Sequence, residues 1–495
     1  MRWVFVFAVG AIVATGNPAA AASRCDRLLA SLGHQISDAN CAESTDLTTN
    51  NPATTPSDNS LPGLPLGAFT PQTDRGVISP NPPNRTPITK AVPGLQIDAR
   101  IAEDPAGEAR ILLRLPNEWN GKLVVAGASG TRSEFNGDFA WSDFVLQKGY
   151  AYVSQNKGIL NLFIDSLNSP VPPEPLACRL NPNSLIWVHF YANDPLTPFT
   201  RWTQFMIEAT RIGGNAVVAH YGRKPNRTYA VGTSNGGYQV RRALETAPEL
   251  FDGGIDWEGT YVDPVAPNIL STLPPAILNF PDYVASGFDP NSTAAKNIVL
   301  AGYPPDIVSG KNSLRMLYSN SFWEVTLCQW QKRLDPTYDT YGSGTGTYGY
   351  VDRLAVSDVG ANVAAITTIG NIGKPLVTVA GTMDALLPIN LQARAYARAV
   401  AGALSDQDQS DWNHQRQRAV YRLYEVQNGN HIETYKDTFA PLELIQPHAQ
   451  KAFNLLADSV ERGSELPPDQ CIPRGGSITS PPPQPGHCAN LFVGP

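Results

Sequence analysis

Two hydrophobic rhythms run along the chain. Leu95-Gln96-Ile97-Asp98-Ala99-Arg100-Ile101 alternates apolar and polar residues, and Ala109 to Leu115 resumes the pattern after a Pro-Ala-Gly turn. A period of two predicts a pair of strands. Leu123-Val124-Val125-Ala126, Tyr150-Ala151-Tyr152-Val153-Ser154 and Arg227 to Val231 are instead short, nearly continuous apolar runs. Such runs fit parallel strands covered on both faces. Between them, Phe139 to Lys148 and Phe199 to His220 have helical spacing. Strands alternating with helices predict a mostly parallel sheet with right-handed crossovers. Gly253 to Trp257 reads as one more strand, and the alternation then stops. Residues 265–370 are rich in Pro, Asn, Ser and aromatics, with helical pieces near Ser313 to Leu327. The regular pattern returns with a strand at Lys374 to Ala380, a helix at Leu391 to Leu404 and a strand at Ala419 to Val426. An interruption of this length far exceeds an ordinary connection and predicts an inserted lid domain.

The ends differ from this body. Arg2, the apolar run Trp3 to Thr15 and Ala20-Ala21-Ala22 have the order of a secretory signal peptide, and the apolar run is short for a membrane span. The expected location is therefore secreted or periplasmic. Residues 42–92 are rich in Pro, Thr, Asn and Ser and lack the apolar content to form a core. The expected organisation is a signal over 1–22, an N-terminal arm over 23–92 and the first part of an α/β core over 93–264. The insertion over 265–370, the second part of the core over 371–464 and a Pro/Gly-rich tail over 465–495 follow. Six cysteines, an even number in an exported chain, predict disulfides. Pairing by proximity in sequence gives Cys25–Cys41, Cys178–Cys328 and Cys471–Cys488. The net charge of −7 comes without a basic cluster, which argues against a nucleic-acid partner.

The chemistry concentrates at Tyr229-Ala230-Val231-Gly232-Thr233-Ser234-Asn235-Gly236-Gly237. An apolar strand runs into Gly-x-Ser-x-Gly, and a helical segment over Gln239 to Thr246 leaves it. Such a corner exposes the serine hydroxyl. A serine needs a base, and the base needs an orienting acid, in the chain order Ser, acid, His for this arrangement. Asp384 lies just past the strand ending at Ala380, where a carboxylate points to the catalytic edge of a parallel sheet. Asp256 and Asp263 compete for the role. His431, in a Gly/Asn loop after the last strand, is the candidate base. His34, His189 and His220 precede the serine, while His414, His448 and His487 lie in a polar run, the terminal helix and the tail. The oxyanion would be met by the backbone N–H of Asn235 and by one from Gly127, Ala128 or Ser129. This chemistry needs no cofactor, and no Cys-x-x-Cys spacing points to a metal. Gly344 to Gly349 matches a dinucleotide-binding pattern literally. It follows no strand and opens no βαβ unit, and it reads as a loop. Trp323, Trp330, Tyr338, Tyr341 and Tyr348 could form the insertion's core or line a substrate site.

These segments resemble the tannase/feruloyl-esterase family of α/β-hydrolases. Leu115-Pro116-Asn117-Glu118-Trp119-Asn120-Gly121-Lys122 looks like that family's approach to its central sheet, and Lys148 to Ser154 like its next strand. Gly232 to Gly237, with Phe251-Asp252-Gly253 beyond, resembles its nucleophile segment. The resemblance covers roughly residues 95–460. It implies an α/β-hydrolase fold with an inserted lid and a serine esterase acting on a small-molecule or oligomeric ester. Two features depart from the family. Thr233 and Ile432 stand where a cysteine pair commonly joins the nucleophile and histidine segments, and Asp282, Asp289 and Asp306 are too scattered for its Asp-rich calcium loop. A prolyl-oligopeptidase-like peptidase shares the serine motif but carries a propeller domain that the N-terminal arm cannot supply. A polyester or hydroxyalkanoate oligomer hydrolase and a non-catalytic binding protein on a hydrolase scaffold are the other readings.

Overall fold

The computed structural model describes residues 23–54, 86–130, 133–159, 163–189, 199–338, 348–410 and 420–494. The proposed signal peptide, Tyr341, His414 and most of the Gly344–Gly349 loop lie outside them.

Helix α1 (Arg24–Leu32) and strands β1 (Ile36–Ser44), β2 (Gly94–Ile101), β3 (Arg110–Pro116) and β4 (Lys122–Gly127) come first. A π-helical turn over Asp138–Ser142, helix α2 (Asp143–Leu146) and β5 (Ala151–Gln155) follow. Next are three short strands, β6 (Phe163–Ser166), β7 (Cys178–Arg179) and β8 (Trp187–His189). Helix α3 (Thr200–Tyr221), β9 (Arg227–Thr233), α4 (Asn235–Thr246) and β10 (Gly253–Trp257) continue the main body. The insertion comprises α5 (Ile269–Ala285), α6 (Thr293–Leu300), the hairpin β11 (Val308–Ser309) and β12 (Asn312–Ser313), α7 (Leu314–Tyr318), α8 (Glu324–Leu334), α9 (Tyr350–Leu354) and α10 (Val359–Ala364). The chain closes with β13 (Leu376–Gly381), α11 (Ala393–Ser410), β14 (Tyr421–Val426), α12 (Gln446–Arg462), β15 (Gln470–Ile472) and β16 (Gln484–Pro485).

One eleven-stranded sheet carries the molecule, in the order β1-β2-β3-β5-β4-β9-β10-β13-β14-β15-β16. From β5 to β15 every neighbouring pair is parallel, while β1 to β3 and β16 are antiparallel additions at the two sides. The mostly parallel sheet is the one expected from the alternating pattern, and it is the α/β-hydrolase fold that the resemblance implies. The apolar runs are continuous because both faces of the central strands are covered. Leu123, Val125, Val153 and Ala230 meet α3, α4 and α11 on one face, through Phe205, Met206, Ile212, Val240, Leu244 and Tyr396. Val124, Tyr152, Tyr229, Val231, Val377 and Val379 meet α12 on the other, through Phe453 and Leu456.

Several parts differ from the expectation. The segment 23–44 of the arm forms α1 and an edge strand, joined by Cys25–Cys41. Beyond it Thr49 is fixed by its backbone N–H and hydroxyl, which donate to the Asp143 carboxylate at 2.9 and 2.5 Å. The other two disulfides also pair as expected, Cys178 with Cys328 and Cys471 with Cys488. The loop-rich stretch around Cys178 is a three-stranded sheet in the order β6-β8-β7, linked by its disulfide to α8 of the insertion. Trp323, Trp330 and Tyr348 are buried in a core that the insertion shares with the small sheet and the main body, where Trp330 packs on Phe199 and Trp202. The helix Phe139 to Lys148 is shorter than its pattern, a π-helical turn followed by α2.

Asp256 and Asp263 do not reach the base. Asp256 Oδ2 accepts from Arg241 Nε at 2.6 Å and from the Thr378 hydroxyl at 2.7 Å, and Oδ1 accepts from Gly259 N–H. Asp263 accepts from the N–H groups of Val265 and Ala266. The fully buried Arg241–Asp256 pair clamps α4, the helix behind the serine, onto β10. Arg241→Met strands a buried carboxylate without its cation. The expected loss is about 3–5 kcal/mol of unfolding free energy, read from the denaturant midpoint.

Candidate active site

The serine corner is made by backbones in contact. A Cβ on Gly232 would lie 2.2 Å from the Gly236 carbonyl oxygen, and one on Gly127 would lie 2.6 Å from the same atom. Only glycine allows β9, α4 and the end of β4 to close on each other in this way. The turn itself falls on Ser234, with φ 58° and ψ −122°. That conformation is strained for a residue with a side chain, by on the order of 1–3 kcal/mol. It is held by Ser234 N–H donating to Trp257 O at 2.9 Å and by Tyr238 N–H donating back to Ser234 O at 3.0 Å. Helix α4 starts at Asn235, directly after the serine, so its N-terminal N–H groups lie beside the hydroxyl.

Asp384 and His431 arrive from the next strands of the same edge. Asp384 follows β13. Its Oδ1 accepts from the N–H groups of Leu386 and Leu387 at 2.8 and 2.7 Å, which fixes the carboxylate. His431 follows β14 and the bend at Asn428, whose φ is 64°. His431 Nδ1 lies 2.8 Å from Asp384 Oδ2, and Nε2 lies 3.1 Å from Ser234 Oγ. Three residues from three strand ends thus form one hydrogen-bonded line. Ser234 is 7% exposed, and the imidazole and the aspartate are buried.

Burial alone would pull the His431 imidazolium down. The Asp384 carboxylate, by charge and hydrogen bond, and Glu258 beyond it outweigh that effect, and the pKa is pushed up to about 9. Burial, with the Asp384 charge next, raises the Glu258 carboxyl well above the usual carboxylate range. Glu258 was not singled out by its sequence. It sits one residue past β10, and its Oε2 is 3.5 Å from His431 Nδ1.

The loop expected to complete an oxyanion site is held from beneath. Ala128 N–H donates to Gln239 Oε1 at 3.0 Å and Ser129 N–H to Asn136 Oδ1 at 2.8 Å, so these two donors are already engaged. Lys157, fully buried, donates from Nζ to the carbonyl oxygens of Ala128 and Ser129 at 3.2 and 3.1 Å. Gln239 also accepts from Gln155 Nε2 and donates to Trp202 O. Gln155 and Lys157 belong to the polar stretch Ser154-Gln155-Asn156-Lys157, which reads as an ordinary loop, and Gln239 stands between Tyr238 and Val240. Their burial is the only signal, and it is not visible in a sequence.

The insertion packs against both loops. The Tyr318 hydroxyl donates to Asn430 Oδ1 at 2.9 Å, next to His431, and Trp323 Nε1 donates to Ala385 O at 2.7 Å, next to Asp384. Away from this edge, His189 Nδ1 lies 3.3 Å from Asp165 Oδ2 and 3.2 Å from Glu174 Oε1 on the small sheet. Among the described residues no helix is long and apolar enough to cross a membrane.

A sheet of this order, with a strained serine after β9, an aspartate after β13 and a histidine after β14, has α/β-hydrolase architecture. Residues 342–489, the part that contains Asp384 and His431, match the model of the 3HB-oligomer hydrolase family. Among curated proteins the chain is similar to the D-(-)-3-hydroxybutyrate oligomer hydrolase of Burkholderia thailandensis, 33% identical over 128 residues. That match covers 24% of this chain and 16% of the relative. The enzyme of the same name from Burkholderia ambifaria is 34% identical over 130 residues, 24% of this chain and 17% of the relative. The chain therefore matches only about a sixth of the length of these relatives. Among solved structures it is similar to feruloyl esterase B from Aspergillus oryzae, at 13% identity, 87% coverage of each chain and a TM-score of 0.49. Tannin acyl hydrolase from Aspergillus niger is similar at 13% identity over 87% of this chain and 84% of that one, with a TM-score of 0.44.

Two outcomes are expected of this geometry. Gly232→Ala pushes a methyl group into the Gly236 backbone. It should lower stability by about 1–3 kcal/mol, measured by denaturation. The His431 imidazole should hold its proton to above pH 6.5, the ordinary histidine value, as an NMR titration of its ring protons would show.

Proposed function

We propose that the protein is an exported serine hydrolase that cleaves carboxylic esters. The observation that carries this reading is the line Ser234–His431–Asp384, with contacts of 3.1 and 2.8 Å, at one edge of an α/β-hydrolase sheet. Ser234 Oγ attacks the ester carbonyl while His431 Nε2 takes its proton. Asp384 holds the Nδ1–H tautomer and stabilises the imidazolium. The negative oxygen of the tetrahedral intermediate faces Asn235 N–H at the start of α4, with a second donor from the Gly127–Ser129 loop. Ala128 or Ser129 would release Gln239 or Asn136 to serve there. Collapse of the intermediate expels the alcohol, protonated by His431. Water, deprotonated by the same imidazole, then releases the acid and regenerates Ser234 Oγ–H.

The helices between β10 and β13 are the lid in this reading. The hydrogen bonds of Tyr318 to Asn430 and of Trp323 to Ala385, beside His431 and Asp384, support it. Three disulfides support export. The substrate is a small or oligomeric ester. The match of residues 342–489 to the 3HB-oligomer hydrolase model favours a hydroxyalkanoate oligomer as a second reading beside an aryl or cinnamoyl ester of the tannase/feruloyl-esterase kind.

Ser234→Ala should fold as the wild type and lose ester hydrolysis by about 10⁴-fold or more, together with labelling by a fluorophosphonate probe. Undiminished hydrolysis in this variant would sink the triad. Run beside it, 3-hydroxybutyrate oligomers, gallate, cinnamoyl and simple aryl esters separate the two substrate readings by their kcat/KM. Cleavage of aminoacyl-amides without any of these esters would point to a peptidase instead.

A further inference from the structure

The imidazole of His431 faces two carboxylates. Glu258 follows Trp257 at the end of β10, the strand between the one that leads to the serine and the one that leads to the aspartate. Its backbone has φ 53°, uncommon for a residue with a long side chain, and this bend turns the carboxyl inward from the sheet edge. The residue is 3% exposed. Glu258 N–H donates to Val379 O and Glu258 Oε1 accepts from Gly381 N–H, each at 2.9 Å, so the residue is tied to β13 just before Asp384. Its Oε2 is buried, has no hydrogen-bond partner among the described residues, and lies 3.5 Å from His431 Nδ1.

We propose that Glu258 is a second positioning acid of this site, sharing the Nδ1 edge of His431 with Asp384 and holding the ring when Asp384 is removed. This rests on the triad reading above. A purely structural glutamate needs Oε1 on Gly381 and nothing more. A buried Oε2 without a donor is unfavourable unless it serves a charge that comes and goes. The imidazolium that forms during acyl transfer is such a charge. It arises within reach of Oε2 without movement of the backbone, and a small rotation of the ring brings Nδ1–H from Asp384 to Glu258. The other titratable groups around this pair are Glu433, Tyr303, Tyr318 and Tyr435, which act on Glu258, Asp384 or each other through charge.

The test uses the full chain and an aryl ester with four variants: Ser234→Ala, Glu258→Gln, Asp384→Ala and the Glu258→Gln/Asp384→Ala pair. Glu258→Gln keeps an acceptor for Gly381 N–H and removes the ionisable carboxyl. Its kcat should fall by about two- to ten-fold, and the acidic limb of its pH profile should move to lower pH, because one group that raises the imidazolium pKa is gone. Asp384→Ala should retain a residual rate, and the double variant should fall at least about ten-fold below it. Where Asp384→Ala does not fold, Asp384→Asn takes its place, since its Oδ1 still accepts from Leu386 and Leu387. A double variant as active as the single Asp384 variant overturns the proposal, and so does a Glu258→Gln profile superimposable on wild type. If Ser234→Ala is inactive in the same assay, those results remove Glu258 alone. If Ser234→Ala is active, the triad itself falls.

Discussion

The meeting of three backbones at Gly127, Gly232 and Gly236 is the constraint on which the rest of the site depends. With no side chain at these points, the end of β4, the end of β9 and the first turn of α4 come into van der Waals contact. The contact forces the chain to reverse at Ser234 itself. The serine thus takes a strained conformation that raises its hydroxyl above the sheet and puts a helix N-terminus next to it. The clamp of Arg241 on Asp256 and the hydrogen bond from Ser234 N–H to Trp257 O keep that corner from relaxing. His431 and Asp384 can then be brought by loops, because Ser234 is the part that cannot move.

Strain is not spread evenly over the molecule. Six non-glycine residues among the described ones have φ between 46° and 67°, and four of them, Lys157, Ser234, Glu258 and Asn428, come within two residues of the carboxyl ends of β5, β9, β10 and β14. Each turns the chain sharply at the edge where the site lies. Lys157 carries a buried ammonium under the Ala128–Ser129 loop, Glu258 a carboxyl toward the imidazole, and Asn428 leads into the His431 loop. A parallel sheet ends in such an edge by construction, and side chains from separate strands converge there.

The sheet was legible because doubly covered strands leave continuous apolar runs, and these runs mark the main-sheet strands β4, β5, β9, β10, β13 and β14. Ser234, Asp384 and His431 were legible because each sits in a small-residue turn directly after such a run, and the structure brings all three together. Other parts were hidden for physical reasons. Helix α5 contains Pro274, Pro275 and Pro281, which argue against a helix locally, yet Leu270, Leu273, Ile277 and Phe280 bury one face and override them. The strands β6, β7 and β8 are two to four residues long and leave no period to detect. Glu258 was invisible because its meaning depends on a backbone bend that glutamate rarely adopts. Asp256 and Asp263 looked equally placed until their side chains were seen to be committed to Arg241 and to a local turn.

The link between Cys178 and Cys328 joins residues 150 positions apart, and Ser234 lies between them. The chain therefore contains a covalent ring with Ser234 on the ring, while Asp384 and His431 lie on the part of the chain that leaves it. A protease that cuts an exposed loop between these two cysteines opens the ring but releases nothing: the serine stays bound on both sides to the same molecule. For a protein proposed to work outside the cell, among proteases, the bond makes the nucleophile's attachment to the chain survive a single nick.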